Sequence, residues 1–448
     1  MATDVDRGAF SKLVDPETGL VSRKIFADPD IYQLELEQVF ARCWLYLGHE
    51  SQLPNPGDYI NVFMGEEPVL VVRNRQGKLN AFINSCRHRG NRVCRADAGN
   101  TASFLCTYHG WTYDLDGKLI GVPGHKELYH GELNRGQWGL PQVAQVASYK
   151  GLIFGTFDPD APSLDEYLGD MRWGLDLLLD QGDMVAMPGV IRWQMDVNWK
   201  FAADNAIGDM YHGNVAHRSA FLAGHRGAEG SRKVGPGASA TARNRWKAPG
   251  FTVITEYGHG FNANFVQDKE FNWDAPGAYW RKDPEIQNRL GPLRSKVARS
   301  NQNVFPNLFV NSGSRELMLR NPLGPMKMEI WKTTLIDRNA PIEALRSMTY
   351  GANRHFGPAG MFEEDDGDNW DQSTYGARGQ TSRLYDLNYS MAVGHGEVIV
   401  DELGPPRIDS LTNEHAQLWM YRCWAEYMDA PSWRHLRDHH MKPHNQRL

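Results

Sequence analysis

Apolar residues first recur at helical spacing in the stretch that begins at Pro29. Ile31, Leu34, Val39 and Phe40 fall about one turn apart, Asp28 stands ready as N-cap, and proline occupies the first helical position. After Leu53 the segment PNPGD marks a turn, and the pattern changes to short β-rich runs at Tyr59–Phe63, Val69–Arg73 and Lys78–Ile83. NRQG joins the last two as a hairpin loop, and Asp116-Gly117 between Trp111–Leu115 and Lys118–Ile120 predicts a second hairpin with a primed turn. Gly151–Phe157 reads as one more buried strand. Residues 43–162 therefore form a small all-β domain, preceded by an N-terminal segment, 1–42, that packs with the rest of the chain.

From residue 163 to 448 strands and helices mix without regular βαβ alternation, which predicts an α+β domain on an antiparallel sheet. A helix is expected over Leu164–Leu179, a strand over Ile191–Val197, then a helix carrying His212. Residues 223–250, rich in Gly, Arg, Ala and Ser, read as a loop. Gly235, Gly237 and Ala240 within it imitate a dinucleotide fingerprint, but neither the strand before nor the helix after is there. Further strands are expected at Phe251–Tyr257, Val304–Val310, Glu316–Arg320 and Met328–Ile336. Helices are expected at Pro341–His355 and at Asn413–Met428, the latter capped by Thr412. No internal repeat is visible.

Composition narrows the class. The 448 residues are 41% hydrophobic and 23% charged, as in ordinary globular proteins. The net charge of −6, without a basic stripe, excludes nucleic acid as the expected partner. No apolar run approaches a membrane span, and MATDVDRGAF lacks the regions of a secretory signal. Five cysteines, an odd number over a long chain, point to a reducing compartment and so to the cytoplasm.

Two stretches carry metal-binding chemistry. In DNAIGDMYHGNVAH, Asp209 precedes His212 by three residues and His217 follows it by five. Two imidazoles with a distant carboxylate suit a mononuclear non-haem iron(II) site with open positions. Asp209 and His212 would share a helix face, whereas five residues rotate a helix by about 500°, so His212 and His217 would diverge. One shared metal requires a break between them, and Gly213-Asn214 is the expected place; the alternative is a pair of surface histidines. Upstream, Cys86-x-His88 and Cys106-x-x-His109 lie 17 residues apart on loops between β segments. Two thiolates and two imidazoles can hold Zn(II) or a Rieske [2Fe–2S] cluster, and one of each per half fits the cluster. Cys43, Cys94 and Cys423 have no such spacing and read as core or inert thiols. His435 and His439 have helical metal-ligand spacing but, with His440 and His444, are expected in a solvated tail.

C-x-H…C-x-x-H followed by D-x-x-H-x-x-x-x-H, with CRHRGN, CTYHGWTYDLDG, NWK, GDMYHGNVAH and HFGPAGMFEEDDGDNW, resembles the large (α) subunit of Rieske non-haem iron ring-hydroxylating dioxygenases. The likeness covers the whole chain and is nearest to the naphthalene and biphenyl dioxygenase group. It implies an all-β Rieske domain (43–162) inserted before an α+β catalytic domain (163–448) with a central antiparallel sheet flanked by helices. It implies Cys86, His88, Cys106 and His109 as cluster ligands, and His212, His217 and Asp366 as ligands of Fe(II), with O2 as co-substrate. Asp365 and Asp368 are expected to be solvated charges. Asp209 is similar to a bridging aspartate that bonds the second nitrogen of His212 and reaches His109 on a neighbouring subunit; Asn205 is similar to a polar group close to the iron.

The implied activity is cis-dihydroxylation of aromatic hydrocarbons, polycyclic ones among them. Electrons would come from a ferredoxin and an NAD(P)H reductase, since the chain has no nicotinamide or flavin fingerprint, and a small β subunit would complete an α3β3 assembly. The rival is a Rieske monooxygenase or demethylase. Positions resembling pocket walls are Asn205, Ala206, Gly213, Phe221, Asn301, Phe356 and Phe362. Ala206 and Gly213 are small where naphthalene enzymes are bulkier, which predicts a roomier pocket. No buried cation stands out for a carboxylated substrate, so a neutral apolar arene is expected.

Overall fold

The computed structural model describes residues 8–223, 225, 248–267, 271–440 and 443. The imitation fingerprint at Gly235–Ala240 and His444 lie outside them. The chain divides into a unit of residues 40–164 and a larger one made of residues 1–39 and 165–448.

The smaller unit is antiparallel throughout. Strands β1 (Leu45–His49), β2 (Asp58–Met64), β3 (Glu67–Arg73) and β4 (Leu79–Ile83) precede the cysteine loops, and β5 (Gln145–Tyr149) and β6 (Leu152–Thr156) follow them. Leu70 and Val72 of β3 enter a core with Phe82, Tyr113 and Leu119, and Cys86 and Cys106 belong to that same core; Val69 and Val71 are buried as well. The Asp116-Gly117 hairpin forms between Thr112–Tyr113 and Leu119–Gly121, with Gly117 at φ +73°. A side chain there would meet Phe82, so glycine serves the turn and the packing at once.

The larger unit is built on one long antiparallel sheet. Its main strands are β7 (Ile191–Met195), β8 (Gly250–Ile254), β9 (Gly260–Phe265), β10 (Val297–Val304), β11 (Leu308–Asn311), β12 (Glu316–Pro322) and β13 (Met328–Asp337). β8 to β13 pair in sequence order, and β7 returns to pair with β13. The helices include α1 (Pro29–Glu35), α2 (Met171–Leu179), α3 (Trp199–Ala206), α4 (Arg218–Leu222), α5 (Ile342–His355), α6 (Met361–Gly376), α7 (His415–Asp429) and α8 (Trp433–His439), with Pro284–Arg294 and shorter pieces between. No helix among the described residues is long and apolar enough to cross a membrane.

Several elements depart from the sequence pattern. Val304–Val310 is not one strand: the chain turns at Phe305–Asn307 between β10 and β11, where Pro306 has no N–H for a ladder. β10 carries no apolar alternation because it buries polar side chains. Ser300, Gln302 and Asn303 are fully buried, and Gln302 donates to the Gly174 carbonyl at 2.8 Å and to Ser300 Oγ at 2.7 Å. The expected helix at 164–179 breaks at Gly169, φ +46°, where a side chain would strike Glu256. α7 begins at His415, whose N–H bonds Asn413 Oδ1, so Thr412 is not its cap.

α1 forms as its pattern predicts, capped by Asp28, and its last residue ties the larger unit together. Glu35 is fully buried; its carboxylate lies 2.5 Å from Lys200 Nζ and accepts from Trp199 Nε1 at 2.9 Å and Trp424 Nε1 at 2.8 Å. One carboxylate thus joins α1, α3 and α7. The N-terminus is fastened to the same helix, with the Phe10 and Ser11 amides donating to Asp429 at 3.1 and 2.9 Å. Burial pushes the Lys200 ammonium down from its usual range, and Glu35 opposes that shift. Removing Glu35 leaves the ammonium buried and unpaired, so Glu35→Ala is expected to cost about 3–5 kcal/mol in thermal or urea unfolding. A Glu35→Leu, Lys200→Met double variant should recover most of that loss.

Candidate metal centres

The helix carrying Asn205 ends at Ala206, well before the histidines. Gly208 takes φ +130°, its carbonyl accepts from Asn262 Nδ2 at 2.8 Å, and a Cβ there would come within 3.0 Å of Asn262. This break at Gly208 is additional to the expected one between the histidines, where His212–Asn214, containing Gly213-Asn214, is a single 3₁₀ turn rather than part of a continuous helix. Asp209 starts that turn, with Oδ1 accepting from the amides of Tyr211 at 2.8 Å and His212 at 3.3 Å. His217 stands immediately before α4. Asp366 projects from α6, a helix the acidic run FEEDDGDNW had hidden.

These pieces bring three electron-pair donors to one point. His212 Nε2 and His217 Nε2 are 3.1 Å apart, and Asp366 Oδ1 is 3.2 Å from the first and 3.4 Å from the second. Asp366 Oδ1 makes no hydrogen bond, so the three atoms face one another across a space suited to a cation. The outer ring nitrogens are held from behind. His212 Nδ1 lies 2.9 Å from Asp209 Oδ2 and 3.3 Å from Asn205 Nδ2, and His217 Nδ1 lies 3.3 Å from Asp365 Oδ2. Asp365, expected as solvated charge, is thus half-buried and orients a histidine, while Asp368 is exposed as expected. Asn205 touches the outer nitrogen of His212. Burial alone would lower the His212 imidazole, but Asp209 and Asp366 hold it well above its usual range, whereas burial lowers His217. The two carboxylates thus favour positive charge where the Nε2 atoms meet, as a divalent cation would provide.

A groove of about 470 Å³ opens on the Asp209 side, lined by Asp204, Asn205, Asp209, His212, Asp366 and Glu414 among others. Of the residues expected as pocket walls only Asn205 lines it. Phe362 instead stacks on His217 with ring centroids 4.2 Å apart, and Phe221 meets Phe362 edge-on at 5.3 Å. Phe356 packs one ring further out, against Phe309 and His355. Asn301, on β10, accepts from Asn311 Nδ2 at 2.7 Å and faces Met210 Sδ. Ala206 is buried, and a side chain at Gly213 would meet nothing closer than His217 at 3.7 Å, so space exists beside the histidine.

In the smaller unit two turns of matching geometry carry the cysteine–histidine pairs. Gly90 N–H bonds Cys86 O at 2.8 Å and Gly110 N–H bonds Cys106 O at 2.9 Å, with both glycines left-handed at φ +74° and +75°. Asn84, which sequence reasoning passed over, braces the first turn by accepting from the amides of Val93 and Cys94. The cysteines are buried, whereas His88 and His109 sit half-buried with ring centroids 4.5 Å apart. Tyr113 OH lies 3.4 Å from Cys86 Sγ, and Asn91 Nδ2 is 3.5 Å from Cys106 Sγ, polar contacts that stabilise thiolate charge. His88 Nδ1 is buried without a hydrogen-bond partner. The four donor atoms are too spread to ring one ion at the 4.8 Å separation that His212, His217 and Asp366 satisfy. Sulfur inside and nitrogen outside fits a two-iron cluster better than zinc.

Cys423, Glu426 and His440 also gather their donor atoms. His440 Nε2 accepts from the Tyr257 amide at 3.1 Å, which leaves its proton on Nδ1 facing Glu426 Oε2 at 2.5 Å. That hydrogen bond fills the place of a metal, and burial pushes the Cys423 thiol well up. His440 therefore belongs to the folded unit rather than to a solvated tail, whereas His435 and His439 are exposed on α8.

Comparison with known proteins agrees with this geometry. Residues 43–149 match the Rieske [2Fe–2S] domain and residues 164–430 the ring hydroxylating α subunit (catalytic domain). The chain belongs to the ring-hydroxylating dioxygenase α-subunit family. It is 37% identical over 452 residues to the biphenyl dioxygenase α subunit of Paraburkholderia xenovorans (strain LB400), covering 95% of this chain and 94% of that one. It is 38% identical over 435 residues to a benzene 1,2-dioxygenase α subunit of Pseudomonas putida, covering 94% of each. Naphthalene 1,2-dioxygenase from Rhodococcus sp., solved with indole bound, superposes with a TM-score of 0.86 at 34% identity over 96% of this chain and 100% of that one. The protein is accordingly an oxidoreductase, an aromatic dioxygenase whose cofactors are a Rieske cluster and a mononuclear iron that uses O2.

The kink at Gly208 is what separates α3 from the histidine turn. Gly208→Ala should introduce strain of about 1–3 kcal/mol and displace His212. Metal analysis should then find less retained mononuclear iron, with the visible absorption of the cluster unchanged.

Proposed function

We propose that the chain is the terminal oxygenase large subunit that cis-dihydroxylates apolar, including polycyclic, aromatic hydrocarbons. His212, His217 and Asp366 would hold the mononuclear iron. Cys86 and Cys106 would ligate one iron of the cluster and His88 and His109 the other. The reading is carried by the meeting of two imidazole nitrogens and one carboxylate oxygen 3.1–3.4 Å apart, with no hydrogen bond to Asp366 Oδ1. The bound metals supply electron storage and O2 activation; the chain's own residues hold, orient and shield. Asp209 accepts the Nδ1 proton of His212 and Asp365 that of His217, which keeps both Nε2 lone pairs on the metal side.

Asp209 has the further role of a bridge. Its side chain is 29% exposed, against 5% for Asp366, so it lies on the open side of the site, where a cluster histidine of a second copy can approach. That arrangement calls for a ring of three α subunits with a small β subunit, served in the cytoplasm by a ferredoxin and an NAD(P)H reductase. Phe221, Phe356 and Phe362 would supply flat apolar walls, with Asn205, Ala206, Gly213 and Asn301 completing the pocket. The names of the relatives, for biphenyl, benzene and naphthalene, support a neutral hydrocarbon.

Reconstituted with a ferredoxin and reductase under labelled O2, the oxygenase should convert naphthalene or biphenyl to a dihydrodiol carrying both labelled atoms. Turnover of salicylate or phthalate in their place would overturn the assignment. Asp209→Asn should lower turnover by about 10–100-fold while cluster colour and iron content persist; unchanged turnover would remove Asp209 from the mechanism.

A further inference from the structure

Behind Phe362 the larger unit holds two histidines that neither metal site uses. His225 follows α4, its amide bonding the Ala220 carbonyl at 2.9 Å, and His355 is the last residue of α5. Both are buried, His225 at 1% exposure and His355 at 3%. His225 Nε2 and His355 Nδ1 are 3.1 Å apart, so one ring donates its proton to the other. Phe362 meets His225 at 4.6 Å and His355 at 4.4 Å between centroids, and stacks on the iron-site residue His217 at 4.2 Å. A single aromatic ring therefore touches both the histidine pair and the metal site. Burial lowers His225 to about 4 and His355 well below its usual range, with Arg354 acting on the first and Arg299 and Lys332 on the second in the same direction. Both rings are neutral at physiological pH and offer hydrogen bonds rather than charge.

The remaining nitrogen of His225, Nδ1, is buried and has no hydrogen-bond partner. If His225 donates to His355, Nδ1 is an unmet acceptor; if it accepts, Nδ1–H is an unmet donor. A buried polar atom left in either state is a standing cost, absent from an apolar wall built of Leu or Phe. We propose that His225 Nδ1, backed by His355, is a specificity-determining contact for a neutral hydroxyl group on the aromatic substrate, remote from the carbons that are oxidised. A hydroxyl donates and accepts, so it satisfies either tautomer, which a carbonyl or a ring N–H does not. A carboxylate is a poorer match because Lys332 is already committed to Glu316 at 2.5 Å and to the carbonyls of Ala352 and Phe356.

The inference rests on the aromatic-oxygenase reading above and narrows its substrate class from plain to hydroxylated polycyclic arenes. Calorimetric titration of the intact holo-oxygenase with 2-naphthol, naphthalene and 2-naphthoate tests it without relying on turnover. The wild type should bind 2-naphthol about tenfold more tightly than naphthalene, the increment of one good hydrogen bond. His225→Leu should abolish that preference and leave naphthalene affinity unchanged. His225→Asn, which keeps a donor and an acceptor in a smaller side chain, should retain most of it and carries the test if the leucine variant binds neither ligand. Equal preference for 2-naphthol in the leucine variant, an asparagine variant that prefers naphthalene, or a wild type that prefers naphthalene or 2-naphthoate overturns the proposal. Failure to form any dihydrodiol would instead sink the broader reading and leave the binding result standing.

Discussion

Two imidazole nitrogens and a carboxylate oxygen, held within 3.4 Å of each other, are an arrangement no isolated peptide would choose. Everything around the site enforces it. The left-handed Gly208 ends α3 so that the next turn can swing His212 across. Asp209 closes that turn with one oxygen and takes the outer nitrogen of His212 with the other. Asp365 and Asp366, consecutive on α6, serve His217 and the metal point respectively. Burial pushes the neighbouring Glu363 carboxyl up to about 8, which keeps it protonated at neutral pH.

The interior that supports this site is unusually polar. β10 turns Ser300, Gln302 and Asn303 inward, and Lys200 with Glu35 and Lys332 with Glu316 form fully buried ion pairs. Such groups are tolerable only in fixed partnerships, because each loses water and must recover its bonds inside. They contribute directional constraint where an apolar core would supply only volume. The helices that present Asn205 and His355 are tied in by Lys200 and Lys332 respectively, as well as by packing.

How far the sequence could be read follows from the same physics. The smaller unit has short β-rich runs and a turn at Asp116-Gly117, so its hairpins were legible, as was α1 from its cap and proline. β10, which buries polar side chains, gave no apolar signal, and α6 hid in a run of acids because its buried face is carried by Phe362, Asp366 and Trp370. Spacing demanded a break between the two histidines, and a 3₁₀ turn over His212–Asn214 supplies it; the second break, at Gly208, was not legible because it depends on the approach of Asn262 from another strand. The supporting role of Asp365 and the anchoring of His440 likewise depend on partners far away in the chain. His225 carries no motif at all; only its orphaned nitrogen in the folded protein singles it out.

The attachment of the first residues to Asp429 bears on how the polypeptide is made. The Phe10 amide and its acceptor are 419 positions apart, so at roughly 5–20 residues per second the ribosome needs on the order of 20–80 s to deliver the partner of a segment that emerged first. Once residue 164 has been made, the residues of the iron–sulfur module are complete and free to collapse for the rest of that interval, while the segment around Phe10 still waits for Asp429. Assembly of the catalytic half is thus a late, nearly post-translational event, and the nascent chain passes through a stage in which one module can be finished and the other cannot.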